Sequence, residues 1–180
     1  MIVQKVVTGG YIQKRLWLKF GGDMKIIAID PGNTESGFVV WNDGILDKGK
    51  IDNQTLRCNL KYKYNIAYDD YILLVEMIAS YGMPVGKEVF ETCVWIGRFT
   101  EIWADKGRSH DLIYRKDVKI HLCGNMRAKD ANIRQALIDK LGPVSTKKIH
   151  NPIYNDIKDK MKSDIWSALA LAITYQELDK

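Results

Sequence analysis

Hydrophobic positions change their period several times along the chain, and each change marks an element. Residues 26–29 (Ile-Ile-Ala-Ile) form an apolar run too short for a helix, closed by Asp30 and bounded by Pro31-Gly32. That pattern predicts an inner strand ending in a carboxylate. A second run, 38–41, follows Gly37, and Asn42-Asp43-Gly44 carries the Asp-Gly signal of a tight hairpin into a third strand over 45–51. Three consecutive antiparallel strands therefore open the domain. Residues 62–70 read as a polar, aromatic-rich connection with at most a short helix, and 71–78 as a second buried strand, again carrying a carboxylate, Glu76. Gly82, Pro84 and Gly86 make a loop of 79–86. Beyond it Val89, Phe90, Cys93, Ile96, Phe99, Thr100 and Trp103 recur at helical spacing and predict an amphipathic helix over residues 87–104. Trp95 lies off that stripe and extends it toward a subunit contact. Residues 112–114 read as a strand, 115–119 as a short basic element, 128–141 as a helix stopped by Gly142-Pro143, and 143–155 as an irregular loop. The last helix starts at Asp159 or Ser163 and runs to Leu178, with Ile165, Ala168, Leu169, Ala172 and Ile173 on its apolar face.

Length and composition narrow the class. The 180 residues, 46% hydrophobic, suffice for one domain with its own core. Cys58, Cys93 and Cys123 are scattered, without a Cys-x-x-Cys pair or matching His spacing, which speaks against a disulfide framework and a structural zinc and for a reducing cytoplasm. The apolar runs fall short of a membrane span. Residues 1–23 show no clear period and are broken by Gly9-Gly10 and Gly21-Gly22, so they read as an extension to a domain spanning 24–180. A translation start at Met24 is one expectation; an N-terminal arm that packs or binds DNA is the other. Charge is uneven within the overall +5: residues 106–148 hold eleven Lys/Arg against four Asp, a net +7 that leaves the rest at −2. Such asymmetry suits a polyanion, and a solvated basic face accounts for it about as well.

Asp30, Glu76 and Asp164 are the candidate chemistry. Two of them have a plain alternative: Asp30 as a turn former beside Pro-Gly, Asp164 as a partner of the helix dipole in its first turns. Their order decides more than any one of them. Ile29-Asp30-Pro31-Gly32, then Val75-Glu76, then Asp164-Ile165-Trp166-Ser167-Ala168-Leu169-Ala170-Leu171-Ala172-Ile173 resembles the RuvC-type Holliday-junction resolvases, in the shorter forms met in phages. The resemblance covers Met24 to about Glu177.

It implies an RNase H-like fold: a mixed sheet, three antiparallel strands then parallel ones, with helices on both faces. It also implies a homodimer in the cytoplasm, the host's if phage-encoded, that cuts branched DNA with Mg²⁺, Mn²⁺ substituting. Two ions about 3.5–4 Å apart require hard oxygen ligands on rigid elements; Asp30 would bridge them, Glu76 complete one and Asp164 the other. The family commonly has a second acidic residue where this chain has Ser167. Water, Ser167 or Asp159 would stand in for it. Position 79 is Ala where the family places an aromatic, and Tyr81 follows as a residue to stack on an unpaired base. Lys119 and Lys129 match the family's basic residues near the cleaved strand, extended by Arg115, Lys116 and Arg127; singly, each reads better as a solvated cation, and only the cluster is a candidate. Two rivals stand beside this reading. One is an actin-like or sugar-kinase ATPase, whose phosphate hairpin resembles Asp30–Thr34 but which needs two such domains. The other is an RNase H-like module that binds branched DNA without cutting.

Overall fold

The computed structural model describes residues 25–64, 70–80, 82, 84–105, 107–155 and 162–178. The extension 1–23, Tyr81 and Asp159 lie outside the described residues. β1 (Ile26–Asp30), β2 (Glu35–Trp41) and β3 (Ile45–Asp52) form the antiparallel meander, followed by α1 (Asn53–Cys58), which continues as a π-helical turn over Asn59–Lys63. Then come β4 (Ile72–Met77), α2 (Lys87–Ala104), β5 (His110–Tyr114), α3 (Arg115–Cys123), α4 (Asp130–Leu141), a 3₁₀ turn over Pro152–Tyr154 and α5 (Ser163–Leu178). Strand order is β3-β2-β1-β4-β5, with β1–β4 and β4–β5 parallel. Among the described residues no helix is long and apolar enough to cross a membrane.

Alternation along the strands divides the core in two. Ile27, Ile29, Val40, Leu73 and Val75 pack against α1 and α2. Ile26, Ala28, Val39, Trp41, Leu74 and Ile113 pack against α5, backed by α3 and α4. Period two therefore puts Asp30 and Glu76 on the α5 face, in step with Ala28 and Leu74. Their strands run parallel with Ile29 opposite Val75, so both carboxylates emerge side by side at the strands' C-terminal ends.

Two expectations are corrected, and one helix stands in a stretch for which the sequence predicts no element. The connection after β3 begins with a helix at Asn53, capped by the Asp52 carboxylate accepting from Thr55 N at 2.8 Å; Leu56, Leu60 and Tyr64 are its buried anchors. The basic element at 115–119 is the first half of a nine-residue helix. α5 has no polar face over its first turns: Ile165 to Thr174 are all buried, because the sheet covers one side and α3, α4 and Tyr154 cover the other.

A hydrogen-bonded lock sets the turn after Asp30. The Ser36 hydroxyl donates to Asn53 Oδ1 at 2.6 Å and accepts from Gly32 N at 3.2 Å, while Asn53 Nδ2 donates to Gly32 O at 2.9 Å and Asn53 N to Thr34 O at 2.9 Å. Both side chains are buried. Asn53→Ala strands the Ser36 hydroxyl and the Gly32 carbonyl and is expected to lower unfolding free energy by about 1–3 kcal/mol in urea titrations; a change within ~0.3 kcal/mol would dismiss the lock.

Candidate active site

Asp30 and Glu76 reach the site from adjacent strands, and Asp164 reaches it from the first turn of α5. The helix can come that close because β2 has no side chain beneath it: a Cβ on Gly37 would stand 2.6 Å from the backbone carbonyl of Asp164 and 2.7 Å from its Cβ. Gly37 is also the residue opposite Asp30 in the β1–β2 ladder. Two cations complete the cluster. Arg115, at the start of α3, donates from Nη1 to Glu76 Oε2 at 3.1 Å and from Nη2 to Asp130 Oδ1 at 2.6 Å. Lys50, on β3, places Nζ 2.5 Å from Asp164 Oδ2.

The electrostatics separate the three carboxylates. Burial, reinforced by the negative charges of Glu76 and Asp164, pushes Asp30 up from 3.8 to about 7 against the pull of Arg115 and the Ser167 hydroxyl. Burial also raises Glu76, partly offset by Arg115 and Lys119. At Asp164 burial acts in the same sense, but the hydrogen bonds from Lys50 and Ser163 outweigh it and hold the carboxyl below its usual range. Asp30 is thus the member whose charge is least compensated.

Among the described residues no three His, Cys, Asp or Glu side chains stand together as ligands of one ion. Glu76 and Asp164 are instead engaged by Arg115 and Lys50. The donor set nevertheless fits hard divalent ions, because Mg²⁺ is commonly held by one or two carboxylates with water and substrate phosphate filling its octahedron. Asp30 paired with Glu76 on one side and with Asp164 on the other offers that arrangement, and its raised carboxyl marks a place where added positive charge is favoured. Ser167 lies beside Asp30, its hydroxyl also donating to Ser163 O at 3.3 Å.

The basic candidates divide. Arg115 belongs to the carboxylate cluster rather than to an open basic surface. Lys116 and Lys119 are half-exposed on α3, and Lys119 is near enough to draw Glu76 down. Arg127 and Lys129 are exposed on the link into α4, whose start is fixed by Lys129 N donating to Asn132 Oδ1 at 2.9 Å. Trp95 is half-buried against Phe99, ring centroids 5.8 Å apart. Sequence reasoning missed Lys50, Asp130 and the close approach at Gly37. A signal for Lys50 existed only in the register of β2 on β3, and a bulge between Val40 and Trp41 shifts that register by one.

No family model matches the chain, and no curated protein matches it in sequence. Solved structures match in fold. Thermus thermophilus RuvC in complex with Holliday junction substrate aligns with a TM-score of 0.64 at 17% identity, over 87% of this chain and 95% of that one. The yeast mitochondrial Holliday junction resolvase Ydc2 aligns at 0.60 and 10% identity, over 88% and 80%. Fowlpox virus resolvase with substrate Holliday junction DNA aligns at 0.55 and 15% identity, over 85% and 99%. The chain has the RNase H-like fold of the RuvC-type resolvases.

Two outcomes test this geometry. Folded protein keeps the Asp30 proton to about pH 7, whereas 3.8 is its ordinary value, so the stability contributed by protonated Asp30 is complete below about pH 4 and lost as pH rises through 7. Asp30→Asn escapes that loss. Without divalent ions, its advantage over wild type in urea titrations grows between pH 4 and 7 and then levels, reaching on the order of a few kcal/mol; an equal difference at pH 4.5 and pH 8 would contradict the raised carboxyl. Gly37→Ala forces the first turn of α5 away from β2 and costs about 1–3 kcal/mol by the same titration. An unchanged midpoint would show that the close approach is dispensable.

Proposed function

We propose that this chain is a metal-dependent, structure-specific endodeoxyribonuclease that resolves four-way DNA junctions by paired phosphodiester hydrolysis, working as a homodimer. The observation that carries the reading is that Asp30 stands between Glu76 on the adjacent strand and Asp164 on α5, from elements far apart in sequence, on one face of an RNase H-like sheet. The fold neighbours include two resolvases in complex with Holliday junction DNA, which supports branched DNA as the substrate class.

When bound, two Mg²⁺ or Mn²⁺ ions would supply an activated water and Lewis-acid stabilisation of the leaving oxygen. Asp30 would be shared between the ions, with Glu76 on one side and Asp164 on the other. The strands and the packed first turn of α5 hold these carboxylates, so little reorganisation is asked of them during reaction. Lys116 and Lys119 from α3, with Arg127 and Lys129 from the α3–α4 link, would carry the DNA backbone, each phosphate contact releasing counterions. Phe90 and Val94 lie one turn apart on α2, 61% and 52% exposed, with exposed Gly97 continuing the row. This apolar face suits a second copy of the chain, which would set two sites against two strands.

The substitution of Ser167 for the family's second acidic residue favours one other reading, a module that binds junctions without cutting. A single assay separates them: labelled four-way junction and plain duplex with Mg²⁺ or Mn²⁺. Wild type is expected to cut junctions in paired nicks, and Asp30→Asn to lower the rate on the order of a thousandfold while binding stays within about threefold. Tight binding with no cutting in either metal would establish the inert module; equal cutting of duplex would make the protein a general nuclease.

A further inference from the structure

Lys50 stands in one row with Asp30. Asp30 pairs with Gly37 across β1–β2, and Gly37 pairs with Lys50 across β2–β3. Directly paired residues point to the same face of a sheet, so Asp30 and Lys50 both project toward α5 on either side of a position without a side chain. The ammonium meets Asp164 there, at 2.5 Å. Glu35 and Asp30 add their negative charge to that of Asp164 around it, and together they strengthen its hold on its proton. The bulge between Val40 and Trp41 is essential to this placement. Without it Gly49 would stand opposite Gly37 and Lys50 would turn to the other face.

We propose that Lys50 is an internal counter-cation that holds Asp164 in the ion-free protein and yields it to a divalent ion, and so sets how tightly the site holds that ion. The inference rests on the two-ion reading of the site and adds its regulation. An ion taking Asp164 must break the Lys50 contact, and the released ammonium stays tethered by its four-carbon stem within the same row, where it repels the ion. Both effects weaken ion binding. Arg115 differs, since Asp130 retains its second nitrogen when Glu76 is taken. The Lys50 and Asp164 side chains are each 28% exposed, so solvent screens the pair and the effect is several-fold rather than thousand-fold.

The test is titration of full-length protein with Mn²⁺ alone, without DNA, reading free Mn²⁺ by its EPR signal. Lys50→Met and Lys50→Gln, both folded by circular dichroism, are expected to bind Mn²⁺ about three- to tenfold more tightly than wild type, and Lys50→Arg to stay within about twofold. Asp30→Asn, measured alongside, should lose binding. Unchanged or weaker binding by both neutral variants, with Asp30→Asn defective, overturns the role of Lys50 and leaves the ion site standing. Tightening by Lys50→Arg equal to that of Lys50→Met also overturns it, because charge would not be the cause. Wild type that binds no Mn²⁺, or Asp30→Asn that binds as wild type does, overturns the ion site and this role with it.

Discussion

The seating of α5 on β2 at Gly37 is the contact on which the rest of the site depends. Asp30 and Glu76 are brought together by strand pairing alone, but Asp164 arrives on a helix whose backbone must approach the sheet more closely than any side chain allows. The ten consecutive buried residues from Ile165 to Thr174 press the helix into that position between the sheet and α3 and α4. Apolar burial, worth about 25 cal/mol per Å², thus seats the helix that carries Asp164, and the Lys50 ammonium holds its carboxylate. The Ser36–Asn53–Gly32 lock secures the other approach, keeping the turn after Asp30 tied to the start of α1.

Charge in the site is balanced unevenly, and the imbalance has a chemical direction. Glu76 and Asp164 each have a cation at hydrogen-bond distance, whereas Asp30, between them, has distant cations and the Ser167 hydroxyl. Burial in that position pushes the Asp30 carboxyl up to about 7, and added positive charge would lower it. The same arrangement makes Lys50 and Arg115 occupants of places that a divalent ion or a DNA phosphate would compete for. Arg115 accordingly belongs to the carboxylate cluster, with Lys119 near enough to act on Glu76 and Arg127 and Lys129 further out along the chain.

Elements with a clean period were legible: β1 from four apolar residues closed by Asp-Pro-Gly, the meander from its Asp-Gly turn, and α2 from its helical spacing, although Phe90 and Cys93 of that stripe are exposed and Thr92 and Ile102 are buried instead. α1 was not, because Leu56, Leu60 and Tyr64 are its only buried apolar anchors and the sequence between them is polar. α5 was placed correctly but given a polar face it lacks, since how many sides a helix buries depends on what packs on it. The carboxylates were legible as strand ends and a helix start.

The chain by itself determined where Asp30, Glu76 and Asp164 stand within their own elements, because strand alternation and helix start signals are local. Tertiary structure alone decided that they meet, through the parallel pairing of β1 with β4 and the fit of α5 over Gly37. It also decided that Lys50 joins them, because a one-residue bulge sets which face of the sheet that side chain takes. Register and close approach arise between segments distant in sequence, and no local pattern encodes them.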